Sequence, residues 1–228
     1  MELLSAFFNW DSFVKVWPLL RQGLWMTAWL ALLIVPLAIA FGLALALAQR
    51  QHRRWLNRTL MLAVDVLRAF PPLVLLILIF YGLPFLGVEM SEVQAVVLAL
   101  VLNGGSYFSE IFRAGLNAVP AGQTEAARST GLSAWQSLVH VVLPQGVRNV
   151  LPDLTSNTLE LVKQTSIASA VALQELLRSA QIGQGLVYNP TPIIAAALIY
   201  FVLLWPLVRW ISGLQKSRGV PFAALARR

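Results

Sequence analysis

Apolar and polar positions alternate in long blocks along this chain. The first apolar block, Leu24 to Ala48, contains no charged residue. At ~1.5 Å per residue it can cross a hydrocarbon core of ~30 Å as one helix, with Pro36 and Gly42 tolerated inside it. Arg50, His52, Arg53, Arg54 and Arg58 follow in a short loop, and basic loops of this kind face the cytoplasm. The N-terminus is therefore expected outside. A second apolar block, Leu60 to Tyr81, is interrupted by Asp65, Arg68 and Pro71-Pro72. Asp65 and Arg68 stand three apart, so on a helix they share a face and are expected to neutralise each other. The prolines must bend this helix or start a new one, leaving Leu73 to Phe80 for the deeper crossing. The loop from Gly82 to Glu92 has no Lys or Arg, which places it outside.

Val93 to Leu116 makes a third span, less apolar because Asn103, Gly104, Gly105, Ser106 and Tyr107 lie in its middle. Small residues there serve either close helix packing or the lining of a path for a polar solute. Glu110 and Arg113 form another pair three apart. The fourth span, about Leu151 to Leu173, is the most polar, with Asn157, Glu160, Lys163, Gln164, Thr165, Ser166 and Ser169. Asn157, Glu160 and Gln164 share one helical face and Lys163 adjoins it. Such groups must face protein or water rather than lipid. Glu160 and Lys163 either pair with each other or line a translocation path. The external stretch after this span contains LLRSAQIGQG, a candidate short gate helix. Thr191-Pro192 is a good helix start, and Ile193 to Ile211 gives span five, with Trp205 and Trp210 suited to the interface and Pro206 a kink. Arg209, Lys216, Arg218, Arg227 and Arg228 then hold the C-terminus inside.

Residues 1 to 23 mix Phe7, Phe8, Trp10, Phe13 and Trp17 with Asp11, Lys15 and Arg21, as an external interfacial segment would. Cleavage after Ala46-Leu47-Ala48 is not expected, because the heavier basic cluster follows the apolar run. The expected fold is all-α: a polytopic membrane bundle of about five transmembrane helices, residues 24–215, ending in a cytoplasmic basic tail, 216–228.

One stretch breaks the membrane pattern. Within a long cytoplasmic loop of about residues 117–148, Glu125 to Pro144 (EAARSTGLSAWQSLVHVVLP) is soluble in character. Gln123 to Thr130 is a short helix stopped by Gly131, a residue suited to left-handed backbone. Ser133 with Gln136 reads as a capping box opening a second helix. That helix carries Trp135, Leu138, Val139 and Val142 at helical spacing, and Pro144 should prevent a smooth continuation. The expectation is a helix, a glycine corner and a second helix, either lying on the bilayer surface or meeting a soluble partner.

Composition agrees with a membrane protein: the chain is 58% hydrophobic and 12% charged, with mean hydropathy +0.71. A net charge of +7 would point to nucleic acid in a soluble protein, but the basic residues here adjoin apolar spans and report topology. Cysteine is absent and His52 and His140 have no metal-ligand spacing, so no metal site is expected. The chain has neither a Gly-x-x-x-x-Gly-Lys-Ser/Thr phosphate loop nor a His-Glu-x-x-His pair. An enzyme is not expected.

The order Glu125-Ala126-Ala127, three residues, Gly131, nine residues, Val141, one residue, Leu143-Pro144 resembles the cytoplasmic loop motif of membrane subunits in ATP-binding cassette (ABC) importers. Val141 stands where Ile is usual. Tyr107 to Arg113, Val119-Pro120, Gly122-Gln123, Gln145, Arg148, Asn157, Lys163 with Thr165-Ser166, and Arg68 followed by Pro71 extend the likeness over roughly residues 20 to 215. Together they look like the permease branch that imports polar amino acids, although Ala69-Phe70 replace a common Gly-Thr and Leu75 a common Gln. The resemblance implies a bacterial inner-membrane permease with no cofactor of its own. It implies two ABC ATPase subunits carrying ATP and Mg, a second permease that is identical or a sister chain, and an external solute-binding protein. It assigns ATPase coupling to Glu125, Ala126, Ala127, Gly131, Leu143 and Pro144. Asn103, Ser106, Tyr107, Asn157, Glu160, Lys163 and Gln164 are the candidates for the substrate path. Two other classes stay open from the residues: a secondary transporter driven by an ion gradient, for which the polar fourth span would serve, and a non-transporting membrane scaffold.

Overall fold

The computed structural model describes residues 9–50 and 54–217. Residues 1–8, with Phe7 and Phe8, His52 and Arg53 of the basic loop, and Arg218, Arg227 and Arg228 of the tail lie outside them. Every element among the described residues is helical: α1 (Trp10–Ala48), α2 (Arg54–Ala69), α3 (Pro72–Ile77), α4 (Glu92–Asn117), α5 (Ala121–Ser129), α6 (Ala134–Ser137), α7 (Leu143–Asn149), α8 (Leu151–Gln164), α9 (Leu176–Val187) and α10 (Thr191–Ser217). Among them α1, α4 and α10 are long and apolar enough to cross a membrane, and α2 with the segment from Pro72 to Leu86 counts as a fourth, broken span. The fourth sequence span is α8 continued by a 3-10 stretch, Thr165–Val171. Its polar residues keep it below the apolarity of the other spans.

The break in the second span falls where the sequence puts it. α2 ends at Ala69, Pro71 is extended at φ −57°, ψ 134°, and Pro72 opens α3. Proline at the first helical position costs nothing there, because that N–H would be unpaired anyway.

The described residues form two compact units, one within 9–36, 71–100 and 159–217 and one within 37–50, 54–70 and 101–158. In the first, the expected interfacial segment is, from Trp10 onward, the start of α1 itself. The physical reason is a stripe at helical spacing. Val16 and Leu20 are buried with Leu176 and Ala180 of α9 and Ala195 and Ala196 of α10, and Phe13 and Leu24 pack against the same cluster. The aromatic residues off that stripe, Trp10, Trp17 and Trp25, remain exposed. At Gly23 the helices approach so closely that a Cβ would lie 2.7 Å from the Glu175 carbonyl.

In the second unit α1 and α4 cross on small residues. A Cβ on Gly42 would stand 2.5 Å from Phe108 Cβ and 2.7 Å from the Gly105 carbonyl. Gly105 in turn sits under the Phe41 ring. At Gly105 the packing role of the small residues in span three is therefore filled, as in other close membrane-helix crossings.

Candidate coupling surface and polar path

Local sequence builds the candidate coupling corner. α5 ends at Ser129, and Gly131 takes φ +91°, the left-handed backbone that only glycine adopts freely. Arg128 closes the corner by donating from its guanidinium to the Leu132 carbonyl at 3.1 Å. Ser133 and Gln136 make both bonds of the capping box: the Gln136 N–H donates to Ser133 Oγ at 3.2 Å and the Ser133 N–H to Gln136 Oε1 at 2.8 Å. The expected pair of helices and its corner are present.

Pro144 differs from expectation. It does not interrupt the second helix, because α6 passes through a π-helical turn, Leu138–Val142, directly into α7. Proline has no N–H to give the preceding turn, and a wider π turn absorbs that loss without a break. The second helix of the corner is thus one rod from Ala134 to Asn149. α5 packs on its π turn, burying Ala127 and Val142, and Gln145 bonds the Val141 carbonyl at 2.8 Å.

Glu125, Ala126, Gly131, Pro144 and the large ring of Trp135 are exposed, whereas Leu143 is half-buried. Nothing lies within 4 Å of where a Gly131 Cβ would be. The rod is seated on α4 by two glycines: a Cβ on Gly115 would lie 2.5 Å from the Gly146 carbonyl. Span three and the coupling rod therefore touch backbone to backbone.

The path candidates divide into committed and free groups. Asn103 is buried, and its amide donates to the carbonyls of Leu67 at 2.9 Å and Phe70 at 3.2 Å, sealing the broken end of α2. Ser106 is buried and bonds the Asn103 carbonyl. Tyr107 is exposed, donates to the Arg68 carbonyl at 3.3 Å and carries the Arg68 guanidinium 5.1 Å from its ring centre. Arg68 lies 3.8 Å from Glu110, so the expected Asp65 to Arg68 neutralisation is replaced by a contact between helices. Glu110 also holds Arg113 through two hydrogen bonds, the pair read from the sequence. Glu160 and Lys163, both exposed, pair at 2.7 Å. Asn157 and Gln164 are half-buried.

One polar group that the residue pattern did not single out is Glu175. It is fully buried and caps α9, accepting from the N–H groups of Leu177 at 2.9 Å and Arg178 at 2.7 Å, while the Tyr200 hydroxyl donates to it at 2.9 Å. Thr27 accepts from the Leu176 N–H at 3.1 Å. Burial raises the Glu175 carboxyl above its ordinary pKa, and these hydrogen bonds pull it back. The node ties α9, the expected gate helix, to α1 and α10. A Glu directly before the LLRSAQIGQG stretch is the signal the sequence carried for it.

Among the described residues no group of three or more His, Asp or Glu is placed to hold a metal. The family model of the binding-protein-dependent transport system inner membrane component matches residues 38–218. The "L-cystine transport system permease protein TcyB" of Bacillus subtilis (strain 168) is 36% identical over 203 residues, covering 88% of this chain and 87% of that protein. The "Probable glutamine ABC transporter permease protein GlnP" of the same organism is 33% identical over 217 residues, covering 91% and 94%. A chain of a solved amino acid ABC transporter with histidines superposes with a TM-score of 0.82 at 34% identity, covering 92% of this chain and 98% of that one.

Proposed function

Since the chain belongs to the family of binding-protein-dependent transport system inner membrane components, we propose that it forms, with a second permease, the membrane path of an ATP-driven amino acid importer. It is a membrane permease subunit of the ABC importer class. The substrate class rests on relatives named for glutamine and cystine. An external binding protein delivers the solute and two separate ATPase subunits bind ATP and Mg. The basic loop and the coupling corner face those ATPases in the cytoplasm, and the N-terminus lies outside.

The observation that carries the reading is the exposed glycine corner. Glu125, Ala126 and Gly131 stand on open faces of a helix pair whose rod rests by Gly146 on Gly115 of span three. An ATPase cleft that grips the corner can bias the permease only through contacts that differ between its states. A backbone-to-backbone seat passes such a bias on because neither side has a rotatable group to absorb it. Glu160 and Lys163 are the freest of the candidate path residues, their charges exposed and bonded only to each other. They complement the two charges of an amino acid.

Native mass spectrometry of the intact complex tests the assembly. Two ATPase subunits with two copies of this chain, or one plus a sister permease, are expected. A folded chain running without ATPases would overturn it. Gly131→Leu tests the coupling role. Nothing among the described residues lies within 4 Å of the new Cβ, but left-handed backbone costs a non-glycine residue about 1–2 kcal/mol. Insertion and basal ATP turnover should survive while uptake per ATP is lost, and normal uptake would contradict the assignment.

A further inference from the structure

Where span one ends, the second unit contains a half-open cavity of about 290 Å³ lined by Gln49, Arg50, Asn57, Met61, Arg113 and Asn117. Gln49 is 5% exposed, and neither its amide nitrogen nor its amide oxygen has a hydrogen-bond partner. The Asn57 side-chain oxygen is likewise buried and without one. Three orphaned polar atoms around one cavity are costly unless something fills it, since a buried unmet donor or acceptor forfeits its hydration.

The charges facing the cavity define what fits. Arg50 is exposed, its backbone N–H donating to the Leu47 carbonyl and its side chain on the cavity wall. Arg113 spends two of its nitrogens on Glu110, leaving its third for a ligand. Arg68 also faces Glu110, and the Asp65 carboxylate attracts Arg113. The charged residues that line the cavity itself, Arg50 and Arg113, are both cationic. Guanidiniums prefer planar or tetrahedral oxyanions, and the phosphate of a phosphodiester is one. The two orphaned acceptors, Gln49 Oε1 and Asn57 Oδ1, require donors on the same ligand. Gln49 and Arg50 also follow directly on the uncharged run Leu24 to Ala48, which sets them at headgroup depth.

We propose that this cavity binds the phosphodiester of a phospholipid headgroup that carries its own hydrogen-bond donors. Arg50 and Arg113 hold the singly charged phosphate with the Gln49 amide N–H, and the hydroxyls of a glycerol or the ammonium of an ethanolamine meet Gln49 Oε1 and Asn57 Oδ1. Basic pockets between membrane helices recognise headgroups in this way. A bound headgroup would join the end of α1 to α2 and α4 beside the coupling corner, making the corner's seat depend on lipid.

The test uses the full chain, extracted in mild detergent, stripped of lipid and titrated by native mass spectrometry. The probes are phosphatidylglycerol, phosphatidylethanolamine, phosphatidylcholine and the soluble headgroup glycerophosphoethanolamine. Phosphatidylglycerol and phosphatidylethanolamine should bind about tenfold or more tightly than phosphatidylcholine, whose quaternary ammonium donates no hydrogen bond. Gln49→Leu should erase most of that preference, whereas Arg50→Gln should weaken all three lipids about alike, since it removes a contact to the phosphate they share. Gln49→Leu should melt no lower than the parent, because it removes orphaned groups; should it fail to fold, the exposed Arg50→Gln carries the test. Equal binding of all three lipids by the parent, no binding, retention of the preference in Gln49→Leu, or undiminished binding in Arg50→Gln would overturn the proposal. Soluble headgroup binding as tight as lipid would overturn the lipid source in favour of a free solute.

Discussion

The seat of the coupling rod on span three allows a graded perturbation from its two sides. Gly115→Ala places a Cβ 2.5 Å from the Gly146 carbonyl and 2.8 Å from Val150 Cγ2, far inside the 3.4 Å at which ordinary contact begins. The carbonyl belongs to helical backbone and cannot rotate away, so α4 and α7 must separate by close to an ångström. Gly146→Ala enters the same contact from the other face but meets the Gly115 carbonyl and Leu116 Cδ2 at 3.1 Å, a deficit of only a few tenths of an ångström. Overpacking a tight contact costs about 1–3 kcal/mol. Gly115→Ala should lie at the upper end and Gly146→Ala near or below the lower, with a fall in melting temperature of about 2–4 °C per kcal/mol for a chain of this size. Gly122→Ala is the control, since nothing lies within 4 Å of its Cβ position and alanine favours the helix by roughly 0.5–1 kcal/mol. In proteoliposomes holding the complete transporter, uptake per ATP should fall most for Gly115→Ala, less for Gly146→Ala and not at all for Gly122→Ala. Equal effects of the two seat variants, or full coupling in Gly115→Ala with a lowered melting point, would refute the reasoning that this contact transmits motion.

Other outcomes follow from the polar groups. Tyr200→Phe removes the hydroxyl that donates to buried Glu175 at 2.9 Å, and leaving such a carboxylate short of one donor should cost about 1–3 kcal/mol; thermal unfolding in detergent measures it, and an unchanged melting point would remove the node from the account of how α9 is held. The Glu160 and Lys163 pair is exposed on both sides, so its own stabilising effect is at most about 1 kcal/mol. The exchange Glu160→Lys with Lys163→Glu keeps that pair while inverting its direction. Melting should stay within error and the KM for uptake should rise if the pair meets substrate; an unchanged KM would return it to a purely structural role.

Much of this architecture was legible because it depends on neighbours in sequence. The capping box at Ser133 and Gln136, the left-handed Gly131, the proline start of α3 and the Glu110 to Arg113 pair each involve residues within a few positions of one another. Local backbone geometry alone determines them. The π turn at Leu138–Val142 was missed because a proline inside a helical pattern has two remedies, a break or a widened turn. The choice depends on what the continuing rod packs against. Arg68 shows the same limit for charge. Its sequence neighbour Asp65 was the expected partner, yet α4 brings Glu110 and Tyr107 to it.

The polar residues of spans three and four show why composition could not separate scaffold from path. Asn103 and Ser106 looked like lining, but a helix broken by two prolines leaves carbonyls at Leu67 and Phe70 without intrahelical partners, and within a membrane those must be met by side chains. The break in the second span therefore dictates a polar residue in the third, independent of any solute. Glu175 follows the same rule, because α9 begins inside the protein and its free N–H groups need an acceptor that water cannot supply. Once such backbone obligations are assigned, the polar groups left without a structural duty are few. Among the described residues they include the exposed charges of Glu160 and Lys163, the unmet amides at Gln49 and Asn57, and the Asn157 amide nitrogen. The Asn103 amide nitrogen is already held by two carbonyls and cannot turn to a solute without unsealing the helix, so transport and lipid recognition are to be sought first at these positions.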